Sequence, residues 1–241
     1  MSVFAATPVA SCESLISSRA NNFHLTSFFA EAAERWPERT LTVDGMEFTY
    51  EKAWFRILQI ATWLQQNGVQ RGDRVVTVLR QSPDLHLITL AVAHIGAVVS
   101  VLSTQVRAEG FRTILEECQP VCVFLEKTTR HLRQEVAGIL TVWMDSGVNS
   151  GGWEEAEFRE VMETAPAWGM RFPGNSDDPA FLVYPQNSTG ASRGVLLSHN
   201  RVRSYLAQER GGSNDMLSIF QSVACEHPDA AEAFAALSES L

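Results

Sequence analysis

Apolar residues in the first part of the chain recur at helical spacing. From Leu25 to Trp36 they fall three or four residues apart, which predicts a helix that Pro37 ends. Two short alternating runs follow, and the Asp44-Gly45 pair between them is typical of a two-residue hairpin, because both residues tolerate positive φ. The amphipathic run from Tyr50 to Asn67 predicts a second, longer helix.

From residue 74 the pattern changes to short apolar runs that alternate with helical periodicity. Uninterrupted Val, Ile and Leu are typical of strands buried on both faces, and such strands joined by helices predict a parallel sheet covered on both sides. The predicted strands are Arg74–Leu79, Val98–Leu102, Val121–Leu125, Ile139–Met144 and Ala180–Tyr184, and the predicted helices are Pro83–Ala97, Ala108–Cys118, Thr129–Ala137 and Trp153–Met162. We therefore expect an α/β fold with a parallel or mixed sheet, helices on both faces, and the hairpin at the sheet edge.

Composition and charge narrow the class of protein. Of the 241 residues, 45% are hydrophobic and 20% charged, as in ordinary globular proteins. The formal net charge of −9 argues against a nucleic-acid binder, which needs a basic face. The most apolar stretch, Leu85–Leu102, is interrupted by polar residues and predicts no membrane span. The N-terminus lacks the basic start and apolar run of a secretion signal, so we expect a cytoplasmic protein.

The cysteines and histidines predict no metal site. Cys12, Cys118, Cys122 and Cys225 fit no zinc spacing and are interpreted as reduced, mostly buried thiols. None of the six histidines forms a spaced metal pair with another. We therefore interpret both the cysteines and the histidines as structural residues and not as metal ligands.

One segment, residues 184–198, has a chemistry that can be named. A strand that ends in a Ser/Thr/Gly-rich turn presents backbone N–H groups and hydroxyls to an anion, and a nearby guanidinium adds positive charge. Ser188, Thr189, Gly190 and Arg193 are the residues that could hold a polyphosphate. From the pattern alone, a polyphosphate-binding loop and a solvated polar turn between two strands are equally well supported.

The same segment resembles the phosphate loop of the AMP-forming acyl-CoA synthetase, luciferase and peptide-synthetase adenylation superfamily. That loop reads Tyr or Phe, then Thr-Ser-Gly-Thr-Thr-Gly-x-Pro-Lys-Gly-Val, followed shortly by Ser-His. The residues that match in register are Tyr184, Ser188, Thr189, Gly190, Gly194, Val195, Ser198 and His199. The upstream helix, hairpin and long helix, together with HIGAVVSVLSTQ, resemble the opening of the same superfamily, so the resemblance runs from Leu25 to Gln208.

The resemblance implies a domain layout and a set of ligands. Residues 25–208 would form the first subdomain of an acyl-activating enzyme, between a loosely ordered leader at 1–24 and a short helical tail at 209–241. The ligands would be ATP with Mg, a carboxylic acid, and a thiol acceptor such as coenzyme A or a carrier protein. The implied phosphate-binding residues are Ser188, Thr189, Gly190, Arg193 and Gly194.

Departures from the family pattern imply weaker nucleotide binding. Pro185-Gln186-Asn187 replaces Thr-Ser-Gly, so Asn187 stands where a glycine would turn tightly, and Pro185 lacks a backbone donor. Arg193 replaces the lysine, which keeps the charge but changes its geometry.

In the family, the groups that bind adenine, ribose and magnesium, and the mobile catalytic lysine, lie beyond this loop. None has a recognisable counterpart after Gln208. We therefore expect a truncated ligase homologue, inactive alone. The alternative is a pseudoenzyme scaffold that docks a partner protein through its C-terminal helices.

Overall fold

A computed structural model of the chain describes residues 24–43, 46–147, 154–184 and 194–206. The predicted tail at 209–241 and loop residues 185–193 lie outside the described residues, as does the predicted leader except for His24. The turn at Asp44-Gly45 also lies outside them.

The first elements form a helix, a hairpin and a long helix, as predicted. They are α1 (Ser27–Arg35), β1 (Thr40–Val43), β2 (Met46–Thr49) and α2 (Tyr50–Gln66). The two strands pair antiparallel, with Val43 opposite Met46. They form a separate two-stranded sheet, so the predicted place at the edge of the main sheet is wrong. The reason is local: β2 leads directly into α2, whose first turn is capped where the Lys52 N–H donates to Thr49 Oγ1 at 3.2 Å.

The main sheet has seven strands and is mixed. Its strands are β3 (Arg74–Val78), β4 (Val98–Leu102), β5 (Cys122–Leu125), β6 (Leu140–Trp143), β7 (Glu155–Glu157), β8 (Pro179–Val183) and β9 (Val195–Ser198). They lie in the order β7-β6-β5-β3-β4-β8-β9. Every neighbouring pair is parallel except β8 and β9, which form an antiparallel hairpin at one edge.

Helices cover both faces of this sheet, as predicted. They are α3 (Pro83–His94), α4 (Ala108–Cys118), a 3-10 segment (Lys127–Val136), α5 (Phe158–Glu163) and α6 (His199–Leu206). Successive residues of a strand point to opposite faces, and on β5 the fully buried Phe124 and Leu125 belong to two different apolar clusters. The cluster of Phe124 includes α2 and α3, and the cluster of Leu125 includes α4 and the 3-10 segment.

Two predicted helices differ from the structure. The segment predicted as Thr129–Ala137 is the 3-10 segment, which begins with a capping box between Glu126 and Thr129. The segment predicted as Trp153–Met162 contains β7 before α5, because residues 155–157 hydrogen-bond to β6 as an added edge strand. Only Ala156 of these three is buried, between two glutamates, so no apolar pattern signals a strand there.

No helix in the described ranges is both long enough and apolar enough to cross a bilayer.

Candidate functional site

The predicted phosphate loop joins the two strands of the β8–β9 hairpin. Leu182 pairs with Leu196 and Val183 with Val195, and the described backbone then ends at Tyr184 and resumes at Gly194. Four of the predicted site residues, Ser188, Thr189, Gly190 and Arg193, lie outside the described residues and stay predictions. The fifth, Gly194, is described and lies at the base of the loop.

The loop leaves the sheet where ligand sites commonly form in open α/β folds. Strand β8 runs parallel to β4, with Phe181 opposite Val99. Its carboxyl end therefore lies at the same edge of the sheet as the carboxyl ends of the other parallel strands. Ligands of open α/β sheets bind outside that edge.

Close packing explains the glycine at position 194. A Cβ there would lie 2.5 Å from Cδ1 of Leu182 and 3.2 Å from a ring carbon of Tyr184. Its backbone N–H donates a hydrogen bond to Oε1 of Glu117, at 3.0 Å. The base of the loop is thus held by packing on one strand and by a carboxylate from another element.

Glu117 comes from the last turn of α4, and Arg74 holds the end of that helix. The Arg74 guanidinium donates to the carbonyl oxygens of Cys118 at 2.7 Å and Gln119 at 2.9 Å. Gln119 ends the helix in the left-handed conformation, with φ of 47°. A cation that binds the free carbonyls at a helix C-terminus is favoured both by hydrogen bonding and by the helix dipole.

The phenol of Tyr184, beside Gly194, and the thiol of the neighbouring Cys118 are both neutral. Burial, with Cys118 and Glu117 nearby, raises the pKa of Tyr184 well above its ordinary value. Burial likewise raises the pKa of the Cys118 thiol to about 11. Cys118 and Cys122 are both free and buried, as the sequence predicted, whereas Cys12 and Cys225 lie outside the described residues. Among the described residues, Glu117 is the charged group hydrogen-bonded to Gly194.

Three histidines, His24, His94 and His199, lie close together, although their spacing in the sequence does not predict it. The Leu25 N–H donates to Nδ1 of His199 at 3.2 Å. Thr26 Oγ1 lies 2.8 Å from Nδ1 of His24 and 2.9 Å from Nδ1 of His94. These contacts tie the start of the described chain to the end of α3 and the start of α6.

Burial keeps the three histidines neutral. It lowers the pKa of His24 to about 3, with added repulsion from the other two, and the pKa values of His94 and His199 to about 4. The Ser-His pair of the motif has a structural place: Ser198 Oγ accepts from the Arg201 N–H at 3.2 Å, and His199 is fully buried. Within the described ranges, no group of three or more His, Cys, Asp or Glu could hold a metal ion.

The acidic pair before β8, Asp177-Asp178, is only partly exposed to solvent. Asp178 Oδ2 accepts a hydrogen bond from Nη2 of Arg71 at 2.7 Å, and its side chain is 17% exposed. It also accepts from the Asn175 N–H at 3.1 Å. This ion pair ties the loop that precedes β3 to the turn that precedes β8.

Sequence comparisons agree with this architecture. Residues 29–226 match the family described as "AMP-binding enzyme". "Probable acyl-activating enzyme 22" of Arabidopsis thaliana is 26% identical over 200 residues, covering 75% of this chain and 37% of that protein. The peroxisomal benzoate–CoA ligase of the same plant is 27% identical over 201 residues, covering 75% and 34%. The chain thus spans about a third of the length of these curated relatives.

Solved structures share the fold. The anthranilate CoA ligase AuaEII, in complex with anthranoyl-AMP, superposes with a TM-score of 0.67 at 16% identity, over 75% of this chain and 36% of that chain. The N-terminal subdomain of Klebsiella oxytoca NpsA superposes with a TM-score of 0.58 at 21% identity, over 78% and 44%. The predicted equivalence to the first subdomain of an acyl-activating enzyme is confirmed at the level of the fold.

Proposed function

Because the chain belongs to the AMP-binding enzyme family, we propose that its β8–β9 hairpin is the phosphate-binding part of an acyl-adenylate-forming site. In such a reaction a carboxylate oxygen attacks the α-phosphorus of ATP, and the bond to the pyrophosphate leaving group breaks. The acyl adenylate then passes its acyl group to a thiol, and AMP leaves as the acyl–phosphate bond breaks. The phosphate-binding residues would be Ser188, Thr189, Gly190, Arg193 and Gly194.

The observation that carries this proposal is the close packing at Gly194. A phosphate loop needs a fixed base from which its N–H groups can converge on an anion. The missing Cβ at Gly194 lets the backbone approach Leu182 and Tyr184 closely at the carboxyl edge of the sheet. This packing supports a fixed base for the proposed loop at this edge.

Each proposed residue has a distinct task. The hydroxyls of Ser188 and Thr189 and the N–H of Gly190 would donate to phosphate oxygens, and Arg193 would balance their charge. Mg²⁺ bound with the nucleotide would neutralise part of the phosphate charge. Pro185 and Asn187 remove a backbone donor and a glycine from the same loop, so we propose weaker binding than an intact family loop gives.

We propose further that these 241 residues do not form acyl adenylate by themselves. They correspond to about a third of the length of the curated relatives. Preorganised charges around the transferred group supply much of the rate enhancement in enzymes. The rest of such a site would have to come from chain that these residues do not include.

Nucleotide binding is tested by thermal unfolding with and without ATP-Mg. We expect saturating ATP-Mg to raise the thermal midpoint, because a ligand at 100 times its Kd stabilises by about 2.7 kcal/mol. Arg193→Ala should lose most of that rise. Arg159→Ala is the matched control, since Arg159 lies on α5 and, among the described residues, forms its ion pair with the surface residue Glu163. An unchanged midpoint of the unsubstituted protein at saturating nucleotide would rule out phosphate binding by this chain.

The departures at Pro185 and Asn187 favour a second candidate function. In this case the domain is a scaffold that docks a partner through the predicted tail at 209–241. Deleting the chain after Gly211 should then change its oligomeric state, measured by size-exclusion chromatography with light scattering. The same number of subunits in the full and shortened proteins would remove the basis of self-association through the tail.

A further inference from the structure

We propose that Glu117 is a positioning residue for the phosphate-binding hairpin. Its carboxylate fixes the backbone N–H of Gly194, the first described residue after the predicted loop. The role in phosphate binding rests on the proposed function above, whereas the role in holding Gly194 does not.

The contact lies just beyond the strand pairing of the hairpin. The last described pair of the ladder is Val183 with Val195, and the Gly194 N–H donates to Glu117 Oε1 at 3.0 Å. Gly194 has no side chain with which to fix the loop, and a Cβ there would crowd the end of the Leu182 side chain. An acceptor from another element therefore takes that task.

The end of helix α4, which carries Glu117, is held in place by hydrogen bonds and by packing. Arg74 donates to the carbonyl oxygens of Gly72, Cys118 and Gln119, which immobilises the turn directly after Glu117. Leu115 and Cys118, on either side of Glu117, are buried in the apolar cluster under the helix. The backbone that carries the Glu117 side chain is thus restrained both by packing and by Arg74.

The charge of Glu117 and its geometry have opposite effects on an anion. A hydrogen bond to a charged acceptor is stronger than one to a neutral acceptor, so the carboxylate orders Gly194 well. The same negative charge repels a bound polyphosphate. Glu117→Gln keeps an acceptor and removes the charge, whereas Glu117→Ala removes both, so the two variants separate the effects.

Trypsin provides the test, because the bond from Arg193 to Gly194 is a tryptic site whose amide is the one that Glu117 binds. Under native conditions and without nucleotide, we expect Glu117→Ala to be cleaved there about tenfold faster, as the loss of one hydrogen bond of ordinary strength implies. Glu117→Gln should restore most of the protection. Glu116→Ala, which removes the exposed neighbouring carboxylate, should match the unsubstituted protein.

Two results would overturn the proposal. One is equal cleavage after Arg193 in Glu117→Ala and in the unsubstituted protein. The other is an equal acceleration in Glu117→Ala at tryptic sites elsewhere in the chain, which would indicate global loosening.

An ATP-Mg titration of the same proteins distinguishes this proposal from the proposed function. We expect Glu117→Ala to bind more weakly than Glu117→Gln, with the thermal midpoint as the measurement. If the unsubstituted protein does not respond to ATP-Mg, phosphate binding fails, and the cleavage rates still decide whether Glu117 holds Gly194.

Discussion

Lowering the pH from 7 to 5 is expected to destabilise the protein by several kcal/mol, through His24, His94 and His199. Burial lowers their pKa values from 6.5 to about 3, about 4 and about 4. The unfolded chain takes up protons as the pH falls below about 6.5, and the folded chain does so only near pH 3 to 4. The stability that neutral histidines give is therefore present above about pH 6.5 and is lost as the pH falls towards 4.

The packing around the three histidines disfavours their protonated, charged forms. His94 and His199 are almost fully buried, and His24 stacks on Phe172 with ring centroids 4.5 Å apart. The ring of Trp54 meets His94 edge to face at 5.1 Å. Protonation would place positive charges in a buried aromatic environment and close to one another.

Two neighbouring groups oppose the effect in part. The carboxylate of Asp178 favours protonated His199, although Arg71 already neutralises it. The nearby backbone of Met170 favours protonated His94. We expect a net loss of roughly 2 kcal/mol by pH 5 for each of the two fully buried histidines, from their pKa shifts alone.

Urea unfolding at pH 7, 6 and 5 measures this dependence. We expect the midpoint to fall steadily while the slope with denaturant stays the same, since the folded surface does not change. His94→Gln should be less stable at pH 7 but less sensitive to pH. His131→Gln is the matched control, because His131 is exposed and should leave the dependence unchanged. Equal midpoints at the three pH values would contradict the prediction.

The sequence predicted best those elements whose apolar pattern matches their burial, which is nearly continuous in Val98–Leu102 and recurs every three or four residues in Ala108–Cys118. Strand Val98–Leu102 and helix Ala108–Cys118 have the predicted bounds. Their apolar residues are numerous and keep a clear period, so packing and local pattern agree. Strand β7 was missed because backbone pairing to β6 holds it, and its two glutamates give no strand signal.

The candidate site was predictable only where a known motif marks it. The resemblance located Gly194 and the Ser198-His199 pair, but the partners of these residues come from distant parts of the chain. Glu117 is 77 residues from Gly194, and the Leu25 N–H is 174 residues from His199. No local pattern encodes such contacts, because they depend on strand order and on which face each helix covers.

Phe111→Ala is expected to cost about 3–5 kcal/mol of unfolding free energy, the usual range for removing a buried aromatic ring. Phe111 is fully buried on α4, and Val76, Leu125 and Trp143 belong to the same apolar cluster. Natural domains have only about 5–15 kcal/mol of stability in total. This single change therefore removes a large share of it. Urea unfolding followed by circular dichroism measures the loss, and a loss under about 1 kcal/mol would contradict the prediction.

The same substitution links the core to the hairpin. Helix α4 carries both Phe111 and Glu117, so a loosened α4 should hold Gly194 less firmly and expose the bond after Arg193 to trypsin. Ile88→Ala is the matched control, because Ile88 is fully buried on α3 in the cluster of the opposite face. If both variants accelerate cleavage after Arg193 equally at equal loss of stability, the hairpin senses only global unfolding. Faster cleavage in Phe111→Ala alone would mean that the packing of α4 sets the position of Gly194.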